Sequence, residues 1–418
     1  MRNTYSFFIV AALMLTLDLY VFQAVKSVTA TLTERTRFWV HNGYWTISII
    51  AILLIAAFPF IQVLNTNKFI RNYFIAILFG LFIAKLIAGI IFLVDDFRRG
   101  ATWAALRLSS SVTSTPWESV TISRSQFLNW LGLGLGSTLF GVLLWGFRNK
   151  YRYHVNPVKL DYKNLPQGFH GLKVVHISDI HSGSFQNPKA VAHGIDLIMQ
   201  QKPDLILFTG DLVNDRADEM NEYKAIFAKL QAPLGVYSTL GNHDYGDYVQ
   251  WPTPEAKAAN LAKLKATHAE MGWRLLMNEH VILERNGDKI ALLGIENWGA
   301  KGRFPKYGKM NEAYPGTEEI PFKILLSHDP SHWDAQVLTE YPDINLMLSG
   351  HTHGMQFGLE NPYFKWSPVQ WMYKQWAGLY EATPDQKLYV NRGFGFIGYP
   401  GRVGILPEIT VLEFTKQA

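Results

Sequence analysis

Four apolar runs, each near the length that crosses a bilayer, fill most of the first 150 residues: Tyr5–Gln23, Tyr44–Leu64, Tyr73–Val94 and Phe127–Phe147. A hydrocarbon core takes ~20 helical residues, and within it only helices and closed barrels pair all their backbone groups. Four such runs in succession are a poor match to the buried helices of a soluble protein. The sequence therefore predicts a membrane region over residues 1–150 with four transmembrane helices, followed by a separate body over residues 151–418. The first run is not read as a secretory leader, because no small-residue cleavage site follows it and three more runs do.

Charge divides the chain at the same place. Residues 1–150 carry 13 Lys/Arg against 5 Asp/Glu, and residues 151–418 carry 26 against 29. The net charge of +5 thus comes from the membrane half. It is no argument for nucleic-acid binding, and none is expected. The chain has no cysteine, which excludes disulfides, thiolate metal sites and a Cys nucleophile.

Two of the runs contain an ionisable residue, Asp18 and Lys85. Spans one and three cross in the same direction, and the two residues sit at nearly equal depth from the starts of their runs. A charge inside a membrane is costly and finds a partner, so the sequence predicts an Asp18–Lys85 ion pair. The alternative is that one or both reach an interface by their stems. Gly132, Gly136, Ser137 and Gly141 in the fourth run read as a close helix-packing face. An even number of spans puts the N-terminus and the large body on one side. Basic residues number 6 on that side and 7 on the other, so the positive-inside rule does not choose. The stretch "SRSQFLNW" looks like a degraded twin-arginine export signal, with Ser125 where a second arginine would stand. Read so, Arg124 faces the cytoplasm of a bacterial-type cell and the body lies outside.

Beyond about residue 155 the pattern changes to short apolar runs separated by helix-like segments. Lys173–Ser178, Asp204–Thr209, Gly235–Leu240, Ile290–Ile295, Lys323–Ser327 and Ile344–Ser349 read as buried strands. Helices are predicted over about 188–202, 219–231, 254–271 and 333–340. Alternation of this kind indicates an α/β fold with some antiparallel members.

Five of the strands run into side chains that can hold a metal. These are Asp179 and His181; Asp211; Asn242, His243 and Asp244; His328; and His351 with His353. Sites in open α/β sheets lie beyond strand ends, so residues distant in sequence can converge there. Mixed His, Asp and Asn donors without sulfur suit Mn, Fe or Zn better than Mg or Ca. Two such ions ~3.5–4 Å apart activate water and clamp a phosphoryl group, and Asp211 is the natural bridging carboxylate. His351 and His353 are two apart on an extended chain, so they emerge on one face and each serves a different ion of one pair. His176 is expected to point into the sheet. His154, His170, His193, His268 and His280 read as ordinary surface or core residues, and Asp329 as the cap of a helix starting near Ser331.

In order, "DIH", "GDLVND", "GNHD", "SHDP" and "GHTHG" resemble the calcineurin-like metallophosphoesterase family over about residues 170–415. "KPDLILFTGD" and "NRGFG…RVGILPEIT" are similar to its membrane-associated branch, which includes transmembrane metallophosphoesterases and a twin-arginine-exported phosphodiesterase. The resemblance implies a β-sandwich flanked by helices and two divalent ions. One ion would be held by Asp179, His181, Asp211 and His353, the other by Asp211, Asn242, His328 and His351. It implies that His243 stabilises the transition state or protonates the leaving oxygen, with Asp244 orienting its ring. Imidazole chemistry suits such proton transfer near neutrality. Asn214-Asp215 and Asp244 depart from the Ser/Thr protein phosphatase pattern, and no tyrosine ligand follows Asp211 as in purple acid phosphatases. The last motif runs Gly354-Met355-Gln356 where relatives often have a second glycine.

The substrate is less defined. Asn361–Tyr380 is rich in aromatics and reads either as a lipid-touching rim or as sheet-covering core. Lys301–Lys309 is basic; Arg303 and Lys306, with Arg392 and Arg402, are the candidate phosphate-binding residues. Joined to a membrane anchor, these features favour membrane lipids as partners and a lipid-linked phosphodiester or pyrophosphate as substrate. The resemblance points the same way, since relatives of that branch include enzymes with UDP-diacylglucosamine-type or phospholipid substrates. A tethered phosphatase of soluble monoesters or nucleotides, and a non-catalytic membrane sensor, are the alternatives.

Overall fold

The computed structural model describes residues 4–110, 125–302 and 304–417. Arg2, Arg124 and Arg303 lie outside the described residues. The chain forms two compact units, Met1–Trp145 and Gly146–Ala418.

The first unit is helical: α1 (Thr4–Thr29), α2 (Glu34–Ala57), the short α3 (Gln62–Thr66), α4 (Lys68–Ser110) and α5 (Gln126–Gly146). All but α3 are long and apolar enough to cross a membrane, and the chain is a multi-pass membrane protein. The second span differs from its predicted limits of Tyr44–Leu64. The helix begins ten residues earlier, at Glu34, where the Thr33 side chain accepts the Thr36 N–H. It ends at Ala57 because Pro59 follows and has no N–H to continue the ladder. α4 has 43 residues, and at ~1.5 Å rise it measures about 65 Å, twice a hydrocarbon core. Gly136 lets α5 lie against α4: a Cβ there would stand 2.6 Å from the Ala84 carbonyl oxygen.

Asp18 and Lys85 meet inside this bundle as a buried ion pair. The same Asp18 oxygen accepts the Ser48 hydroxyl at 2.7 Å and the Tyr44 hydroxyl at 2.8 Å. Lys85 also donates to Ser48 Oγ at 2.9 Å.

The second unit contains two six-stranded sheets and a small hairpin. In chain order its strands are β1 (His154–Tyr162), β2 (Lys173–Ile177), β3 (Leu205–Phe208), β4 (Val236–Ser238), β5 (Arg274–Leu275), β6 (Glu279–Arg285) and β7 (Asp288–Gly294). There follow β8 (Lys323–Leu326), β9 (Leu346–Ser349), β10 (Leu359–Asn361), β11 (Phe364–Trp366), β12 (Gly378–Thr383), β13 (Gln386–Val390) and β14 (Glu408–Lys416). One sheet has the order β1-β14-β2-β3-β4-β5, the other β12-β13-β9-β8-β7-β6, and β10-β11 form the hairpin. β2, β3, β4 and β5 are parallel, as are β7, β8, β9 and β13. The six predicted strands are β2, β3, β4, β7, β8 and β9, and all but β7 lead into the site.

Period-2 alternation builds three apolar layers from these strands. Val174, Leu205, Leu207, Leu292, Ile324, Leu346 and Leu412 pack between the sheets. Their neighbours Val175, Ile177, Ile206 and Phe208 face outward onto α6 (Pro188–Gln200) and nearby helical turns. On the far sheet Leu293, Leu325, Met347 and Val390 do the same against Trp333 and Val337. Burial on both faces explains why these strands read as unbroken apolar runs. The helix predicted over 219–231 is only the turn Lys224–Phe227 (α7) after a 3-10 turn at Ala217–Met220. The one over 254–271 is α8, Pro254–Glu270. His176 sits between the sheets with its Nε2 2.9 Å from Thr209 Oγ1.

Candidate metal centre

Both sheets aim their parallel strand ends at one cleft. β2, β3 and β4 deliver Asp179, His181, Asp211, Asn242 and His243, while β8 and β9 deliver His328, His351 and His353. Asp179, His181 and His353 place ligand atoms within 4.8 Å of one another, and so do Asp179, Asp211 and His328. His353 Nε2 lies 3.0 Å from His181 Nε2 and 3.2 Å from Asp179 Oδ1. Asp211 Oδ2 stands 3.5 Å from His181 Nε2 and 3.2 Å from His328 Nε2. His351 turns its Nδ1 to Asn242 Oδ1 at 2.8 Å.

Backbone strain accompanies this convergence. Asp179, His181, Asp211, His351 and His353 all have positive φ, between 48° and 70°. Non-glycine residues adopt that region rarely and at a cost of about 1–3 kcal/mol each. The expectation of an extended chain at His351 and His353 is therefore wrong. Each is in a left-handed turn, and the turns send one ring toward Asn242 and the other toward Asp179. Met355 continues the strained path at φ 56°, where a glycine would carry no penalty. Two glycines are required by close approach: a Cβ at Gly241 would strike the Asp211 carboxylate, and one at Gly350 would strike Ser178 and Asp179.

The donors fit divalent cations. His328 Nδ1 donates to the Thr209 carbonyl at 2.7 Å, which leaves the fully buried Nε2 facing the Asp211 carboxylate at 3.2 Å. His181 and His353 face each other through ring nitrogens only one of which can carry a proton in a mutual hydrogen bond. Burial alone would push His328 down, but the Asp211 carboxylate overrides it and lifts the imidazole to about 10. Asp179, also buried, is held far below the usual carboxylate range by the facing His353. These are buried Asp/His clusters of the kind that form a two-metal phosphoesterase site.

Other contacts revise the reading of individual residues. Asp244 does not touch the His243 ring. Its Oδ2 accepts the N–H groups of Asp211 and Gly241, and its Oδ1 those of Leu212 and Val213, so it pins the Asp211 loop. The His243 ring is oriented instead by the Asn214 carbonyl, 2.8 Å from Nδ1, and by Tyr248, whose ring lies 4.5 Å away. Arg392 and Arg402 are not placed to bind substrate. Arg392 is buried in ion pairs with Glu360 and Glu408. Arg402, fully buried, donates to the carbonyls of Arg392, Gly393 and Gly395, with Nη2 3.3 Å from His353 Nδ1. Lys306 is exposed, 4.4 Å over the Trp298 ring, and does not line the cleft.

Two residues missed by sequence reasoning belong to the site. Tyr373 OH is 2.9 Å from His351 Nε2. Asp329 caps Ser331 with Oδ1, as expected, but its Oδ2 lies 3.6 Å from the same His351 nitrogen. Together they orient the ring. The cleft, about 290 Å³, is walled by Tyr248, Phe304, Val369 and Met372 around the metal-competent side chains.

Sheets that bring Asp/His clusters to a shared cleft define a metal-dependent phosphoester hydrolase. Residues 172–355 match the family model described as "Calcineurin-like phosphoesterase". Residues 1–150 match "Probable Calcineurin-like phosphoesterase, transmembrane domain". The chain is 32% identical to the "Uncharacterized metallophosphoesterase YkuE" of Bacillus subtilis, over 69% of this chain and 96% of that protein. It is 32% identical to the "Transmembrane protein with metallophosphoesterase domain" of Danio rerio, over 62% of this chain and only 57% of that longer protein. A third relative, at 29% identity over 61% of this chain and 88% of its own length, is the "UDP-2,3-diacylglucosamine pyrophosphatase LpxG" of Chlamydia muridarum. The chain belongs to the calcineurin-like metallophosphoesterase family and carries a membrane domain.

Proposed function

We propose that this protein hydrolyses a phosphodiester or pyrophosphate bond of a lipid-linked substrate with two bound divalent ions, drawn from Mn, Fe and Zn. The observation that carries the reading is the convergence of His181, His328 and His353 on Asp179 and Asp211 within 3.5 Å. Asp179, His181, Asp211 and His353 would hold one ion, and Asp211, Asn242, His328 and His351 the other. Such a pair supplies Lewis-acid polarisation of phosphoryl oxygens and an acidified water. The chain's own contribution is to orient and to move a proton. His243 donates Nδ1–H to Asn214 and keeps Nε2 for the leaving oxygen. Asp244 holds the Asp211 loop, and Tyr373 with Asp329 holds His351. The membrane domain and the named activity of the Chlamydia relative support a lipid-linked substrate. The export-like stretch at Ser125 supports a catalytic unit on the extracytoplasmic face.

The test is turnover by the purified full-length protein with Mn, offered UDP-diacylglucosamine, a phospholipid extract and soluble phosphomonoesters, beside Asp211→Asn. The reading expects cleavage of a lipid-linked phosphodiester or pyrophosphate that Asp211→Asn and chelation both abolish. Preference for soluble monoesters would replace the lipid substrate, and activity unchanged in Asp211→Asn would remove the metal mechanism.

A further inference from the structure

Among the described residues of the catalytic unit, eight large apolar side chains are exposed: Tyr248, Tyr307, Met355, Leu359, Tyr363, Phe364, Trp371 and Met372. Six of the eight fall within Met355–Met372. Tyr363 is 98% exposed and Trp371 74%. A soluble surface scatters such groups singly, and their concentration in one segment marks a contact surface. The segment is not a loose loop. Leu359 and Phe364 stand on the paired hairpin β10-β11. Trp366 meets the Trp371 ring edge-on at 6.1 Å, and Val369, Tyr373, Trp376, Ala377 and Ile405 form a buried cluster beneath. A built support thus holds an apolar rim out of the protein.

The chemistry of the rim selects its partner. Trp, Tyr and Phe with flanking lysines are the side chains that settle at a bilayer interface. Lys301 and Lys374 are exposed at its border, and Lys301 donates to the Met372 carbonyl. The acid on the hairpin, Glu360, is already paired with Arg392. The same chain carries four helices long and apolar enough to cross a membrane.

We infer that the Leu359–Met372 rim inserts into the interfacial layer of an anionic lipid bilayer and so opens the metal cleft onto lipid. Met372 belongs to both rim and cleft wall, and the next residue, Tyr373, hydrogen-bonds the ring of His351. The inference concerns the docked surface and holds whatever bond is cleaved.

The absence of cysteine makes the test direct. Trp371→Cys and Tyr363→Cys, in the full chain, are labelled with an environment-sensitive fluorophore and reconstituted in vesicles of phosphatidylcholine and phosphatidylglycerol. Ala266→Cys, on the exposed face of α8, is the control. Labels at 371 and 363 should shift to the blue, be quenched by lipids spin-labelled near the headgroup, and resist iodide several-fold better than the label at 266. Iodide quenching equal to the control overturns the inference. So does shielding from iodide without quenching by spin-labelled lipid, which would mean that a second copy or another protein covers the rim. Since the readout is fluorescence, failure of the substrate assignment leaves it legible.

Discussion

The two units each bury charge, and they answer it differently. In the membrane unit the carboxylate of Asp18 is met by a fixed cation, Lys85, with Ser48 and Tyr44 donating to the same oxygen. In the catalytic unit Asp179 and Asp211 face imidazole nitrogens at 3.2–3.5 Å, and two of those nitrogens, on His181 and His353, lie 3.0 Å apart. No lysine or arginine ion-pairs with either carboxylate among the described residues. Their compensation is exchangeable, because an imidazole nitrogen holds a proton or a metal ion but not both. The contrast separates a cluster that stabilises a bundle from one built to bind a ligand. In the first a lysine of the chain itself neutralises the carboxylate, whereas the second has converging imidazoles and carboxylates on five strained backbones.

The largest effect that sharpens the contrast is catalytic. His243→Gln should lower kcat by about 10²–10⁴-fold while leaving metal content intact, since no ligand atom is removed; loss of bound metal would make His243 a ligand rather than an acid. Next, Lys85→Ala should destabilise the membrane unit by about 3–5 kcal/mol, because it strands Asp18 in a buried site. Adding Asp18→Asn should recover part of that loss, and unfolding energies that simply sum would dissolve the pair. Tyr373→Phe should weaken metal binding by about 10–100-fold and spare kcat at saturating metal; an unchanged affinity would show that Asp329 alone orients His351.

A further effect, on pH dependence, lies outside the site. Burial pushes His268 down to about 3 from an ordinary 6.5. The unfolded chain then binds a proton that the folded one refuses between those values. This contribution is present above pH ~6.5 and is lost as pH falls toward 3, by at most about 1.4 kcal/mol per pH unit. His268→Asn should flatten thermal unfolding between pH 6 and pH 4; a slope equal to wild type would assign the acid sensitivity elsewhere.

How far the molecule was legible in its sequence follows the same division. Apolar runs report burial on two sides, so β2, β3, β4, β7, β8 and β9 were readable, and with them the loops that carry the motifs. β1 and β14 were not. They pair across about 250 residues of chain, with Pro157 tolerated on an edge strand, and no local pattern encodes such a partner. Arg392 and Arg402 looked like phosphate grips because sequence does not show that Glu360, Glu408 and three carbonyls already hold them. Asp244 was assigned to its chain neighbour His243, whereas adjacent side chains point apart and its carboxylate turns to backbone N–H groups. Tyr373 had no signal beyond lying in an aromatic stretch, since its role depends on a ring 22 positions away.

Metal content per chain tests the central claim most directly. Full-length protein equilibrated with Mn and freed of excess should hold two ions, and Asp211→Asn, which removes the shared carboxylate, should hold one or none. Wild type that binds no ion, or Asp211→Asn that keeps both, would contradict a two-metal centre bridged at Asp211.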